Sequence, residues 1–149
     1  AHPDTFKAVV TWSGALYLGM TEDEDFQAAY ETAKKDGYYE QTYDWREPLH
    51  LGERWYKEIA ETDMLKVTAG IKAPILAING KNDTTVTPDN AEKIVEASAN
   101  DASEVLLVDN CDHTYNVFSG DFTALFQTVD ATIAFFQAQL IPAAADAAA

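Results

Sequence analysis

The chain has 149 residues, of which 47% are hydrophobic, and its formal net charge is −15. This length is enough to bury one ordinary core. The negative charge excludes nucleic acid and anionic membrane surfaces as expected partners, because both are polyanionic. No apolar run approaches the ~18 residues of a transmembrane helix, and no signal peptide pattern is visible. The single cysteine, Cys111, excludes an internal disulfide; this fits a reducing compartment, and the expected location is the cytoplasm, although a secreted protein without disulfides would look the same.

The first block of the chain, residues 1–19, contains a predicted strand from Phe6 to Trp12. This segment is rich in β-branched and aromatic residues, which favour strands, and Ser13-Gly14 closes it. Its apolar character is typical of a strand that is covered on both faces.

The second block, residues 20–67, is predicted to be a helical insertion. A first helix is expected to begin at the capping-box sequence Thr21–Glu24 and to end at Gly37. A second helix is expected to carry Leu51, Trp55 and Ile59 on one face. The buried stripe of the first helix is predicted to be Phe26, Ala29, Tyr30 and Ala33.

A loop rich in aromatic residues joins these two predicted helices. Its Tyr39, Tyr43 and Trp45 are candidate substrate contacts, because aromatic side chains commonly line binding pockets. They fit equally well into a small core of the insertion itself, and the sequence leaves both interpretations open.

The third part, residues 68–141, is predicted to hold two further strands and two helices. Ile75–Ile78 forms a continuous apolar run after Pro74, which is typical of a strand buried on both faces. Thr87 is predicted to cap the next helix, and Glu104–Val108 is the second strand. The stripe of the first helix is expected to be Ala91, Ile94 and Val95, and that of the long final helix Phe122, Leu125, Phe126, Val129, Ile133, Phe136 and Leu140.

The order of these elements predicts an α/β fold. Strands that alternate with helices imply parallel strands joined by right-handed crossovers. Strands this apolar should not lie at sheet edges, so we expect the three strands to be part of a larger sheet. The Ala-rich tail, residues 142–149, has no large apolar residue and is expected to be disordered.

Two polar loops follow neighbouring predicted strands. Asp83 comes after the strand Ile75–Ile78, and His113 comes after Glu104–Val108. Because the carboxyl ends of parallel strands meet at one edge of a sheet, we expect both side chains at that edge. An Asp that orients a His is half of a catalytic triad. Taken singly, Asp83 also fits a turn and His113 a solvated loop, whereas His2 and His50 receive no functional role.

The segment Ile71–Pro88 resembles the acid-bearing segment of the α/β-hydrolases. The pattern there is I-x-x-P, an apolar strand, G-x-x-D and then V-x-P, and Asp83 falls on the acid. Asp112-His113, after Val105–Val108, resembles the histidine segment, and His2–Val10 resembles the stretch that follows the nucleophile-bearing helix. The resemblance implies the C-terminal part of an α/β-hydrolase fold, with residues 20–67 as a helical cap between its sixth and seventh strands.

The arrangement of this cap resembles cinnamoyl and feruloyl esterases and related acylglycerol hydrolases. Two positions depart from the superfamily pattern. Asn79 stands where the family often has His, and Asn110 stands where a Gly often precedes the histidine. Asn tolerates left-handed backbone, so Asn110 is compatible with the family's turn.

The nucleophile of that family is absent from the sequence. The family needs G-x-S-x-G at a strand-to-helix elbow, with oxyanion donors from an earlier loop. None of the serines has this context: Ser13, Ser98, Ser103 and Ser119. The resemblance therefore implies that the serine and the oxyanion hole lie on an N-terminal part, either a separate chain or a lost segment, and that this chain alone is inactive.

The leading hypothesis is thus the C-terminal portion of a serine carboxylic-ester hydrolase that acts on a small-molecule ester. A non-catalytic binding module of the same fold and a serine peptidase of the same fold remain alternatives. No cofactor is expected, and no metal-ligand spacing is recognisable. Pairing with a second copy of the chain is another way in which an open strand edge could be covered.

Overall fold

A computed structural model describes residues 5–17 and 19–141, so that the predicted tail lies outside the described residues. The chain divides into two compact units. The core unit comprises Ala1–Leu16 and Leu65–Ala149, and the inserted unit comprises Tyr17–Met64. The elements in chain order are β1 Val9–Trp12, α1 Glu24–Asp36, β2 Tyr38–Gln41, β3 Leu49–Gly52, α2 Glu53–Glu61, α3 Met64–Ala69, β4 Ile75–Gly80, α4 Asp89–Ala97, β5 Glu104–Val108 and α5 Thr123–Leu140.

The core unit is built on a parallel sheet of strand order β1-β4-β5. Val9 pairs with Ile75 in the first ladder, and Gly80 pairs with Val108 at the end of the second. The predicted α/β class and the parallel arrangement are therefore confirmed. β4 lies in the centre and is buried along its whole length, as its apolar sequence predicts.

The prediction for β1 is wrong in two respects. The strand begins at Val9 rather than Phe6, whose side chain is 65% exposed. β1 is only half-buried, and it forms an edge of the sheet in the described residues. The apolar sequence of β1 predicts a strand that is covered on both faces and paired on both edges. In the described residues it is half-buried and pairs with β4 only.

Helices cover the core sheet. Leu76 and Ile78 of β4 pack in one cluster with Val108 of β5 and with Ala124 and Phe135 of α5. α4 also contacts β4 and β5, and its buried residues lie outside that cluster. α4 begins at Asp89 rather than at the predicted Pro88, and the Thr87 side chain does not cap it.

The buried face of α5 differs from the predicted one. The buried residues are small or lie on the other side of the helix: Ala124, Thr128 and Phe135. Several predicted stripe residues are exposed, among them Phe122, Phe126, Ile133 and Leu140. Small side chains let the helix lie close to the sheet, so residue size decides the face where hydrophobicity alone misleads.

The inserted unit contains a β-hairpin that the sequence did not predict. β2 pairs antiparallel with β3, and Leu51 lies in β3 rather than on the second helix. α1 begins at Glu24 with Asp23 as its N-cap, since the Asp23 carboxylate accepts a hydrogen bond from the Phe26 backbone; the predicted capping box is wrong. Gly37 ends α1 in a left-handed conformation, as predicted. No helix among the described residues is long and apolar enough to cross a membrane.

Candidate active site

The acid loop, residues 81–88, follows β4 and is hydrogen-bonded to the end of β5 and to the loop after it. The Lys81 amide donates to the Val108 carbonyl at 2.9 Å, and the Asn82 amide donates to the Cys111 carbonyl at 2.9 Å. Asp83 closes the turn through a 3.2 Å bond from its amide to the Gly80 carbonyl. These bonds fix the position of the Asp83 side chain, which is fully buried.

Five donors converge on the Asp83 carboxylate. Its Oδ1 accepts from the backbone amides of Thr85 and Val86 at 2.9 and 2.8 Å. The Oδ2 atom accepts from the Ser13 hydroxyl at 2.9 Å, and the Asn79 amide lies 3.4 Å away. The fifth donor is His113 Nδ1, at 2.9 Å from Oδ2. A carboxylate offers about four acceptor sites, so these oxygens are saturated.

The protonation state of Asp83 follows from this environment. Burial, the largest single influence, raises its pKa, but the hydrogen bonds from Val86, His113, Ser13 and Thr85 together outweigh burial and lower the pKa. Asp83 is therefore ionised at neutral pH.

The ionised carboxylate determines the tautomer of His113. A carboxylate has no proton to donate, so the 2.9 Å contact requires a proton on Nδ1 of the imidazole. The other ring nitrogen, Nε2, is then the basic one. The His113 side chain is 41% exposed, whereas the Asp83 side chain is fully buried. The pair thus has the geometry of an acid that orients a base.

The histidine loop, residues 109–116, owes its shape to left-handed backbone. Asn110, Tyr115 and Asn116 have φ values of 52°, 55° and 60°. The Asp112 carboxylate accepts from the backbone amides of Thr114 and Asn116, at 2.8 and 3.0 Å. Asn110 thus adopts the conformation that the sequence predicted it would tolerate.

At Gly80, the last residue of β4, the backbone is in close contact with Cys111 of the histidine loop. A Cβ atom on this residue would lie 2.2 Å from the carbonyl oxygen of Cys111. Real Cβ atoms do not approach backbone this closely, so only glycine fits. Cys111 itself is fully buried, and its pKa is raised to about 11 by burial, with smaller contributions from the charges of Asp112 and Asp83. It is not a thiolate nucleophile.

Sequence reasoning missed two residues of this cluster. Ser13, considered there only as a nucleophile, donates to Asp83, and its hydroxyl lies 3.2 Å from the hydroxyl of Tyr115. A usable signal existed: Ser13 directly follows β1, and the ends of parallel strands share one edge of the sheet. Tyr115 follows His113 by two residues and received no attention.

The other candidate residues lie in the inserted unit. Tyr39 lines a cleft of about 530 Å³ within that unit. Tyr43 and Trp45 lie ring to ring at 5.5 Å, with Trp45 77% exposed. Their role as substrate contacts stays a prediction. His50 stacks on Tyr38 and pairs with Glu40 at 3.2 Å. Residues 5–17 and 19–141 contain no group of three His, Cys, Asp or Glu side chains that could hold a metal ion.

Comparison with known protein families identifies the family of the chain. The model of the prolyl oligopeptidase family matches residues 1–141. The chain belongs to the prolyl oligopeptidase family. No curated protein sequence matches this family member significantly.

Solved structures similar to this prolyl oligopeptidase family member share its fold. The monoacylglycerol lipase of Paleococcus ferrophilus has a TM-score of 0.68 at 15% identity, covering 93% of this chain and 61% of its own. A structure titled for LipS and LipT, two metagenome-derived lipolytic enzymes, has a TM-score of 0.66 at 18% identity, with 91% and 57% covered. Mouse alpha/beta hydrolase domain-containing protein 10 has a TM-score of 0.60 at 16% identity, with 91% and 55% covered. The fold is that of the α/β-hydrolases, and the chain spans about three-fifths of the length of these proteins.

Proposed function

We propose that this chain supplies the acid and the base of a Ser-His-Asp triad in a serine hydrolase that cleaves carboxylic esters. The observation that carries the proposal is the 2.9 Å hydrogen bond between His113 Nδ1 and the buried Asp83 carboxylate. The esterase assignment draws on the similar structures, which include a monoacylglycerol lipase and lipolytic enzymes.

The two residues would act in sequence during acyl transfer. His113 Nε2 accepts the proton of the attacking serine hydroxyl and later returns it to the leaving group. Asp83 remains ionised, holds the imidazole in the required tautomer and stabilises the imidazolium that forms. Its low pKa, set by its hydrogen-bond donors against the opposing effect of burial, suits this role.

The proposal assigns the nucleophile and the oxyanion hole to a segment that precedes Ala1. Ser13 contacts Oδ2 of Asp83, so that its hydroxyl lies on the acid side of the pair rather than beside Nε2. The hydroxyls of Ser98 and Ser103 bond to each other at 2.8 Å, and that of Ser119 donates to the Asn116 carbonyl. The open side of β1, at the edge of the sheet, offers a place for the strand that would carry the serine.

A peptide substrate is the second candidate. The match to the prolyl oligopeptidase family favours it, because the family is named for a peptidase. The acid–base pair serves both reactions, since ester and amide cleavage pass through the same kind of acyl intermediate.

The test uses the complete polypeptide, with the natural sequence that precedes Ala1, and Ala1–Ala149 alone. We would treat both with a fluorophosphonate, map the labelled residue by mass spectrometry, and assay p-nitrophenyl esters beside prolyl p-nitroanilides. We expect a label on an upstream serine, ester hydrolysis by the complete protein, and neither in the short chain. Faster turnover of the anilides would select the peptidase candidate.

Matched variants make the assignment specific. His113→Ala should abolish turnover, whereas His50→Ala, on an exposed histidine of the inserted unit, should leave it unchanged. A short chain that is active and labelled on Ser13 would overturn the assignment of the nucleophile. A complete protein that takes no label and hydrolyses nothing would support the non-catalytic binding module instead.

A further inference from the structure

Two hydroxyl groups, those of Tyr115 and Ser13, are connected in series to the Asp83 carboxylate. The Tyr115 hydroxyl lies 3.2 Å from Ser13 Oγ, and Ser13 Oγ lies 2.9 Å from Asp83 Oδ2. The same Oδ2 atom accepts the proton of His113 Nδ1. Three separate loops, one after each strand of the core sheet, thus contribute to one connected set of hydrogen bonds.

Counting protons fixes the direction of this chain. A serine hydroxyl carries one proton, and an ionised carboxylate can only accept, so the Ser13 proton points to Asp83. The contact between the two hydroxyls then requires Tyr115 to donate to Ser13 Oγ. The Ile78 carbonyl, at 3.4 Å, is a more distant acceptor for the same tyrosine proton. Burial raises the pKa of Tyr115, so its hydroxyl keeps the proton that it donates.

Backbone strain accompanies this arrangement. Ser13 has a φ of 47° and Tyr115 a φ of 55°, in the left-handed region that residues other than glycine rarely adopt. The left-handed turn at Ser13 comes immediately after β1. The Ser13 amide donates to the Ile78 carbonyl at 2.9 Å and so continues the β1–β4 ladder by one residue. Ring contact between Trp12 and Tyr115, at 5.3 Å, holds the tyrosine beside this turn.

We infer that Ser13 and Tyr115 are positioning residues that orient and polarise Asp83, and through it set the basicity of His113. The inference rests on the proposed function. Donation to Oδ2 withdraws negative charge from the atom that faces the imidazole, and a donor that is itself hydrogen-bonded donates more strongly. Without the Ser13 proton, Oδ2 would carry more negative charge and would stabilise the imidazolium more.

Other titratable groups around the carboxylate are few among the described residues. His113 hydrogen-bonds to Asp83, and Tyr115 hydrogen-bonds to Ser13. The Cys111 thiol lies close enough for the Asp83 charge to affect its pKa. The Cys111 pKa, raised to about 11 chiefly by burial, keeps the thiol neutral over the range of the assay below.

The experiment measures kcat and KM of the complete enzyme from pH 5 to 9. For Ser13→Ala we expect the acid limb of kcat/KM to move to higher pH by roughly half to one unit, which lowers kcat/KM by roughly three- to tenfold at pH values well below the limb. KM should not change, because neither hydroxyl is assigned to the substrate. Tyr115→Phe should shift the limb in the same direction by less, and Ser13→Thr, which keeps the hydroxyl, should leave the limb near its wild-type position although a β-branched residue at a φ of 47° lowers stability.

A matched control separates this role from a structural one. Ser98→Ala removes a half-buried hydroxyl whose partner is Ser103 rather than a carboxylate, so it should lower stability without moving the limb. If His113→Ala abolishes activity while Ser13→Ala keeps the wild-type limb, the inference is refuted and the proposed function stands. If His113→Ala leaves activity intact, the proposed function itself fails.

Discussion

The acid loop and the histidine loop hold their key side chains by opposite means. Asp83 is fully buried, and donors from its own turn and from Ser13 saturate both oxygens. His113 is 41% exposed, and left-handed residues in its own loop fix the backbone around it. The difference fits the proposed roles. Asp83, which would keep its charge, is immobilised by many hydrogen-bond donors, whereas His113, which would exchange a proton, is accessible to solvent.

The largest effects are expected from removing either side chain of the pair. If the proposed triad is correct, His113→Ala in the complete protein should lower kcat by roughly 10⁵-fold or more, and Asp83→Asn by roughly 10⁴-fold, because the proposal has the base transfer the proton and the acid act only through the base. Steady-state kinetics with a p-nitrophenyl ester measures both. Asp109→Asn, at an exposed carboxylate of the histidine loop, is the matched control and should retain activity. Equal tolerance of all three substitutions would contradict the assignment.

The contact between the loops gives the next largest effect. Gly80→Ala would force a Cβ against the Cys111 carbonyl at 2.2 Å, so the histidine loop must shift. We expect a loss of about 3 kcal/mol in unfolding free energy, measured by urea denaturation. Gly52→Ala is the control, since a Cβ there would lie an ordinary 3.7 Å from the Gly37 carbonyl oxygen, and it should cost less than about 1 kcal/mol. Equal losses for the two variants would show that the close contact is not restrictive.

Acid should weaken the hydrogen bonds that the Asp83 carboxylate accepts. Folding lowers the pKa of Asp83 below its ordinary value of 3.8, so its hydrogen bonds stabilise the fold above that pH. This contribution disappears as the pH falls below 3.8 and through the lowered pKa. The difference in unfolding free energy between wild type and Asp83→Asn, followed by urea denaturation from pH 7 to 3, should therefore shrink below about pH 4. A difference that stays constant with pH would contradict the linkage.

A smaller effect tests the backbone of the histidine loop. Asn110 has a φ of 52°, which glycine adopts freely and β-branched residues resist. Asn110→Gly should change the melting temperature little, whereas Asn110→Val should destabilise the protein by about 1–2 kcal/mol. The same pair of changes at Asn100, which lies outside the left-handed residues, provides the control. Equal effects of Asn110→Gly and Asn110→Val on stability would show that the left-handed backbone at Asn110 does not restrict the residue there.

Sequence reasoning located the core strands because their signal is local. Ile75–Gly80 is a continuous apolar run, and its burial on both faces follows directly. The hairpin Tyr38–Gln41 with Leu49–Gly52 was missed because its strands are four residues long and no two-residue turn joins them. The buried face of α5 was misjudged because Ala124 and Thr128 carry little hydrophobic signal, although their small size is what allows close packing.

The site was predictable only as far as chain order and strand ends reach. Asp83 and His113 follow adjacent parallel strands, so their meeting could be expected before any coordinates. The place of Ser13 at the same edge could have been inferred from its position after β1, but its bond to Asp83 depends on a left-handed turn at the serine, which no local sequence pattern predicts. A motif search asks whether a serine can be a nucleophile, and it overlooks one that serves the acid.

The unequal surroundings of β1 and β4 have a consequence for amide hydrogen exchange. The amides of Val9 and Ser13 point to β4, so strand alternation directs those of Val10 and Trp12 away from it. β4 has hydrogen-bonded strands on both sides and is buried throughout, and its amides can exchange only when the sheet itself opens. In Ala1–Ala149 alone, protons on the outer edge of β1 should therefore exchange in small local openings, while those of β4 report the global unfolding of the unit.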